Sequence, residues 1–136
     1  MKEEIIAKVN EFLTEKVDPE LIVLFGSYAT GNVHPKSDID IAFYRKEHTL
    51  SAYDIFILAQ ELAGLLHIEK VDLIDLNEAS TVFKMQIFSK GEAVLVKNEH
   101  EFRKYEMSVY RLYADLNEKR GEVLAKIYER GRVYGS

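Results

Sequence analysis

Cysteine is missing from the chain altogether, which removes any disulfide framework and any thiolate zinc site. Long apolar runs are missing too: nothing approaches the roughly 18 consecutive apolar residues of a membrane-spanning helix. The start, Met1-Lys2-Glu3-Glu4, carries acids and no extended apolar segment, so neither a signal peptide nor a membrane partner is expected. Nor is there an excess of positive charge. The formal net charge is −5, which argues against a broad nucleic-acid footprint and leaves direct nucleic-acid binding unexpected. Repeats and low-complexity tracts are also lacking. These absences leave a small protein with a cytoplasmic location as the expectation.

What remains is ample for a folded core. The chain has 136 residues, 47% of them apolar, and reads as α/β with a small sheet flanked by helices. An amphipathic helix is expected over residues 2–16, with Ile5, Ile6, Val9, Phe12 and Leu13 at helical spacing. Asp18-Pro19 should end it and turn the chain into a strand. Further helices are expected over residues 50–66 and 79–90, and strands over 71–76 and 93–96. Lys84 and Lys90, on the second of these helices, are expected to be solvated. Asn98 with Glu101 has the form of a helix cap, opening a long helix toward Arg130 with a kink or break at Gly121 and a frayed end. Its Tyr-rich apolar stripe suits either core packing or an interface. The division expected is residues 1–97 as the main domain and 98–136 as a helical extension.

The centre of the chain is the stretch from Gly26 to Asp40. An apolar run, Leu21-Ile22-Val23-Leu24-Phe25, precedes it, and Ile41-Ala42-Phe43 follows. The pattern predicts a strand, a glycine turn, a short helix or loop, and a second strand. Side chains alternate along a strand, so Asp38 and Asp40 point to one face while Ile39, Ile41 and Phe43 enter the core. Two adjacent carboxylates raise each other's proton affinity unless a cation relieves them. Oxygen ligands of this kind favour magnesium shared with phosphate oxygens. Gly26 permits a close backbone approach, and Ser27 at the start of a helix would offer free N–H groups to phosphate. His34 in the same loop reads as a solvated residue. A later strand carries Asp72 and Asp75, three apart and so on opposite faces, of which only one can join Asp38 and Asp40.

Gly26-Ser27, ten residues, then Asp38-Ile39-Asp40 resembles the signature of the DNA polymerase β nucleotidyltransferase superfamily, and the short chain resembles its minimal (MNT) branch. Many members carry arginine where this chain has Thr30. The resemblance implies a polymerase β-like fold with a mixed sheet, Mg²⁺ as cofactor and ATP as substrate. It implies metal ligation by Asp38 and Asp40, with a third carboxylate on the later strand. Asp72, between Val71 and Leu73, fits that position, and Asp75 is the reserve. Gly26, Ser27 and Ser37 are the nucleotide-binding candidates. MNT proteins are commonly antitoxins paired with a HEPN-domain RNase toxin, so the resemblance further implies AMP transfer to a tyrosine of that partner. The alternatives are a nucleotidyltransferase acting on a small hydroxylated molecule, or an antitoxin that only binds.

Overall fold

The computed structural model describes residues 2–26, 38–47 and 50–135, with side chains through 127. The expected short helix after Gly26, with Ser27, His34 and Ser37, lies outside the described residues. In chain order the elements are α1 (Lys2–Lys16), β1 (Leu21–Phe25), β2 (Ile39–Tyr44), α2 (Ala52–Leu66) and β3 (Val71–Asp75). A 3₁₀ turn (Leu76–Glu78), α3 (Thr81–Lys90), β4 (Glu92–Val96) and α4 (Glu99–Gly135) complete the fold. The four strands form one sheet in the order β3-β2-β1-β4. β1 runs antiparallel to both β2 and β4, while β2 and β3 are parallel neighbours joined through α2.

Each face of this sheet is covered, which is why β1 is apolar throughout. On one face Ile22, Leu24, Ile39, Ile41, Phe43 and Leu73 pack against α1 and α2. On the other, Leu21, Val23 and Ala42 meet Leu76 and Ile87, with Phe83, Phe102 and Tyr105 closing over them. A central strand buried on both sides has no polar face to offer, so its sequence loses the usual alternation.

Local signals place the helix ends. α1 has Glu3 and Glu4 in its first turn and Lys16 in its last, each complementing the helix dipole. It stops where Asp18 takes a left-handed φ of 51°, one residue before Pro19. Ser51 caps α2 by accepting from the Asp54 N–H at 3.1 Å, and His67 ends it at φ 56°. On α2 the buried residues are Leu62, Ala63 and Leu66, while Leu65 is exposed.

The Asn98 cap is present: its side chain accepts from the Glu101 N–H at 3.1 Å. Glu101 does not reach back to close a reciprocal box and instead lies 3.8 Å from Lys46. α4 then runs without a break to Gly135, 37 residues or about 55 Å. Of the kink or break expected at Gly121, the break is absent, since the helix continues through it. That residue is exposed, and a side chain there would meet nothing, so no packing force breaks the helix. The first turns of α4 are anchored by Tyr105, whose ring stacks on Tyr44 at 4.3 Å and meets the edge of Phe88 at 5.6 Å. Lys84, expected to be solvated, lies 5.8 Å over the same ring as a cation–π contact. Val109 is buried, and beyond Tyr113 every described side chain is exposed. Among the described residues, no helix is long and apolar enough to cross a membrane.

Candidate active site

Three segments converge at one end of the sheet. β1 delivers Gly26 at its C-terminal end. β2 delivers Asp40, which pairs in register with Phe25 on one side and with Asp72 of β3 on the other. Parallel neighbours in register point their side chains to the same face, so Asp40 and Asp72 stand side by side. Gly26 adopts φ +72°, a conformation that disfavours any residue with a Cβ. It is also the residue whose Cβ would overlap the Oδ2 of Asp40. The glycine therefore does two things: it turns the chain sharply, and it leaves the Asp40 carboxylate room against the backbone.

The electrostatics follow from this crowding. The Asp40 carboxyl is pushed up from 3.8 to about 6, first by burial, then by its hydrogen bond to Asp72 and the negative charges of Asp72 and Asp38. Lys70 opposes the shift and lies 3.5 Å from the Asp72 carboxylate. Asp38 is exposed, one residue before β2 begins. Asp75 faces the other way. It is almost fully buried, on the α2 side of β3, and its carboxylate accepts the Asn77 N–H at 3.0 Å. Parity thus puts Asp72, not Asp75, beside Asp40.

Lys70 was not singled out from sequence, although its position two residues before Asp72 places both side chains on one face of the strand. Among the described residues, no ready-made group of three acids or histidines encloses a metal position. The donor set nevertheless suits a hard divalent cation. Asp40 and Asp72 stand side by side, and their crowding raises the proton affinity of Asp40, a load that a cation would relieve.

The sign of the Asp40 shift gives a measurable consequence. Between 3.8 and about 6 the folded state holds a proton that the unfolded chain has released, so this contribution to stability is present at low pH and is lost as pH rises through about 6. In chelator, the Asp40→Asn variant is expected to lack that decline. It should exceed the wild type near pH 7.5 by about 1 kcal/mol, a figure discounted for solvent screening. Chemical denaturation of both proteins at pH 4.5, 6 and 7.5 checks this, and parallel pH profiles would assign the titration elsewhere.

A turn that opens onto paired strand carboxylates, on a mixed sheet between helices, defines a nucleotidyltransferase. Residues 7–100 match the family model described as polymerase beta, nucleotidyltransferase, and the chain belongs to that family. It is 47% identical over 73 residues to the protein adenylyltransferase MntA of Shewanella oneidensis, covering 54% of this chain and 51% of that protein. It is 29% identical over 98 residues to the protein adenylyltransferase MntA of Aphanizomenon flos-aquae, covering 66% of this chain and 65% of that one. The aligned parts thus span between half and two-thirds of these relatives' length. Among solved structures, the fold is similar to a chain of a toxin–antitoxin crystal structure with AMP-PNP. The TM-score is 0.80 at 31% identity, covering 90% of this chain and 98% of that one. It is also similar to a chain of the tri-AMPylated Shewanella oneidensis HEPN toxin in complex with MNT antitoxin. There the TM-score is 0.78 at 29% identity, covering 94% and 99%.

Proposed function

We propose that this chain is an antitoxin that transfers AMP from ATP to a tyrosine of a HEPN-type RNase toxin and so silences it. The observation that carries the reading is the Asp40–Asp72 pair, aligned across parallel strands beside the positive-φ Gly26. Support for the acceptor comes from the relatives: two are protein adenylyltransferases, and one similar structure holds a tri-AMPylated toxin. Residues 1–97 form the transferase unit in this reading, and residues 98–136 its helical extension. ATP as donor places the reaction in the cytoplasm.

In the reaction the tyrosine oxygen bonds to the α-phosphorus of ATP as the bond to the β-phosphate oxygen breaks. Pyrophosphate leaves, and the phenolic proton passes to a carboxylate. Asp72 is the residue we assign to receive that proton, because it lies at the outer strand of the sheet, where an acceptor has access. Asp38 and Asp40, with Asp72, would hold Mg²⁺. When bound, that ion would neutralise charge on the attacking and leaving oxygens. Gly26 lets the backbone approach the terminal phosphates, with Ser27 and Ser37 as further nucleotide contacts. Lys70, 3.5 Å from Asp72, would help to orient that carboxylate. Positioning and charge supply most of the rate, since the protein forms no covalent bond itself.

The test is to incubate the purified toxin with a substoichiometric amount of this protein, Mg²⁺ and ATP, then measure the toxin's intact mass and its RNase activity. One or more AMP additions on tyrosine, many per antitoxin molecule, are expected together with loss of RNase activity. Neutralisation only at one-to-one stoichiometry and without a mass change would leave a binding antitoxin. Transfer to a small hydroxylated molecule but not to the toxin would reassign the acceptor.

A further inference from the structure

β3 is the outer strand of the sheet, and among the described residues it pairs only with β2. Its other edge carries backbone N–H and C=O groups that no described strand receives, a surface that readily accepts another strand. Along this edge runs a cavity of about 620 Å³ whose floor and walls include Ile55, Leu73, Ile74 and Phe83. Its charged lining residues are Asp75 and Glu78, and among the described residues no Lys, Arg or His lines it. Beside it, at the start of α2, Tyr53 and Phe56 are 72% and 57% exposed.

From these features we infer that the free edge of β3 and its acidic groove dock an extended, basic segment of the acceptor polypeptide, which adds to the sheet as a fifth strand. The inference rests on the transfer to a protein tyrosine proposed above. Geometry links the groove to the chemistry. Asp72 lies three residues before Asp75 on the same strand, roughly 10 Å along it. A strand added at about 4.8 Å from β3 places the residue opposite Asp72 on the face shared by Asp72 and Asp40. A tyrosine in that register presents its hydroxyl to the proton acceptor, while its neighbours in sequence occupy the groove near Ile74 and Glu78.

Charge selects among occupants. The acids of the groove repel RNA and the triphosphate, and they attract lysine and arginine on a segment taken from an RNA-binding partner. The apolar walls supply pockets for alternate side chains of that segment, as strand addition requires. The surface is continuous with the proposed catalytic carboxylates, whereas the apolar side chains of Leu116, Val123, Leu124 and Ile127 lie beyond Tyr113, where every described side chain of α4 is exposed.

The experiment uses the full-length chain and the intact toxin. Ala52→Trp fills the mouth of the groove, and Glu78→Lys reverses its charge; both positions are exposed, so folding should survive. Each variant is expected to raise KM for the toxin about tenfold with kcat nearly unchanged, the mark of lost ground-state docking. Mg²⁺ and ATP are expected to raise the melting temperature of each variant by as much as that of the wild type. In hydrogen exchange, amides of residues 72–75 should slow when toxin is added with a non-hydrolysable ATP analogue. Unchanged KM in both variants, or protection confined to residues 112–127 of α4, would overturn the docking site. So would slowing of the β3 amides with rising concentration of this chain alone, which would mark a second copy as the occupant, or slowing by RNA in place of toxin. Failure of the wild type to modify the toxin at all would overturn the proposed reaction, and the docking inference with it.

Discussion

Asp40→Asn and Asp72→Asn are each expected to cut AMP transfer on the order of a thousandfold or more, while Asp75→Asn leaves most of it. Asparagine keeps the shape of the side chain and removes its charge and its ability to take a proton, so packing changes little. Asp40 and Asp72 stand in register across β2 and β3, and the charge of Asp72 raises the proton affinity of Asp40. Losing either carboxylate removes one of the three negative charges that would hold a divalent cation. Asp75 lies on the opposite face, committed to the Asn77 N–H that opens the 3₁₀ turn. Its substitution should change turnover scarcely and stability little, since the asparagine oxygen still accepts that N–H. Single-turnover transfer measured beside thermal melts separates the two outcomes. A fully active Asp72→Asn with an inactive Asp75→Asn would reverse the assignment.

Gly26→Ala should be nearly as damaging, for a steric reason. The position sits at φ +72°, where an L-residue is strained, and the new methyl would overlap the Asp40 Oδ2. Either the turn opens or Asp40 moves. A displacement of about 1 Å at a reacting site can cost a hundredfold, and a drop in kcat/KM of at least about that size is expected. The strain should also lower stability by about 1–2 kcal/mol. Gly121→Ala is the matched control. A side chain there meets nothing, so it should raise helix stability by up to about 1 kcal/mol and leave transfer unchanged. Equal behaviour of the two variants would mean that Gly26 has no special place beside Asp40.

The elements were legible because their signals are local. Helix α1 is read from the spacing of Ile5, Val9 and Leu13, all buried, and β1 from its unbroken apolar run. Strand parity alone put Asp72 and Asp75 on opposite faces, and it was the register with β2 that decided which of them meets Asp40. Register is a property of two strands far apart in sequence, so no single stretch contains it. The same holds for Lys84, whose surroundings depend on Tyr105 arriving from α4. Gly121 was misread because glycine marks a break only where something competes for the backbone, and on an exposed helix surface nothing does. The raised proton affinity of Asp40 was foreshadowed by Asp38 two residues away, but its largest cause, burial, is visible only in the fold.

The unbroken α4 implies an energetic boundary that no loop marks. The costly step in making a helix is its first turn, and here the domain supplies that turn through the Asn98 cap and the Tyr44–Tyr105 stack. Residues past Tyr113 then only propagate a helix already begun, without tertiary contacts to hold them. They can melt and re-form quickly while the sheet stays intact. A protease offered the native protein should therefore nick it in mid-helix, between residues 114 and 127, and release a trimmed molecule whose sheet and paired carboxylates survive.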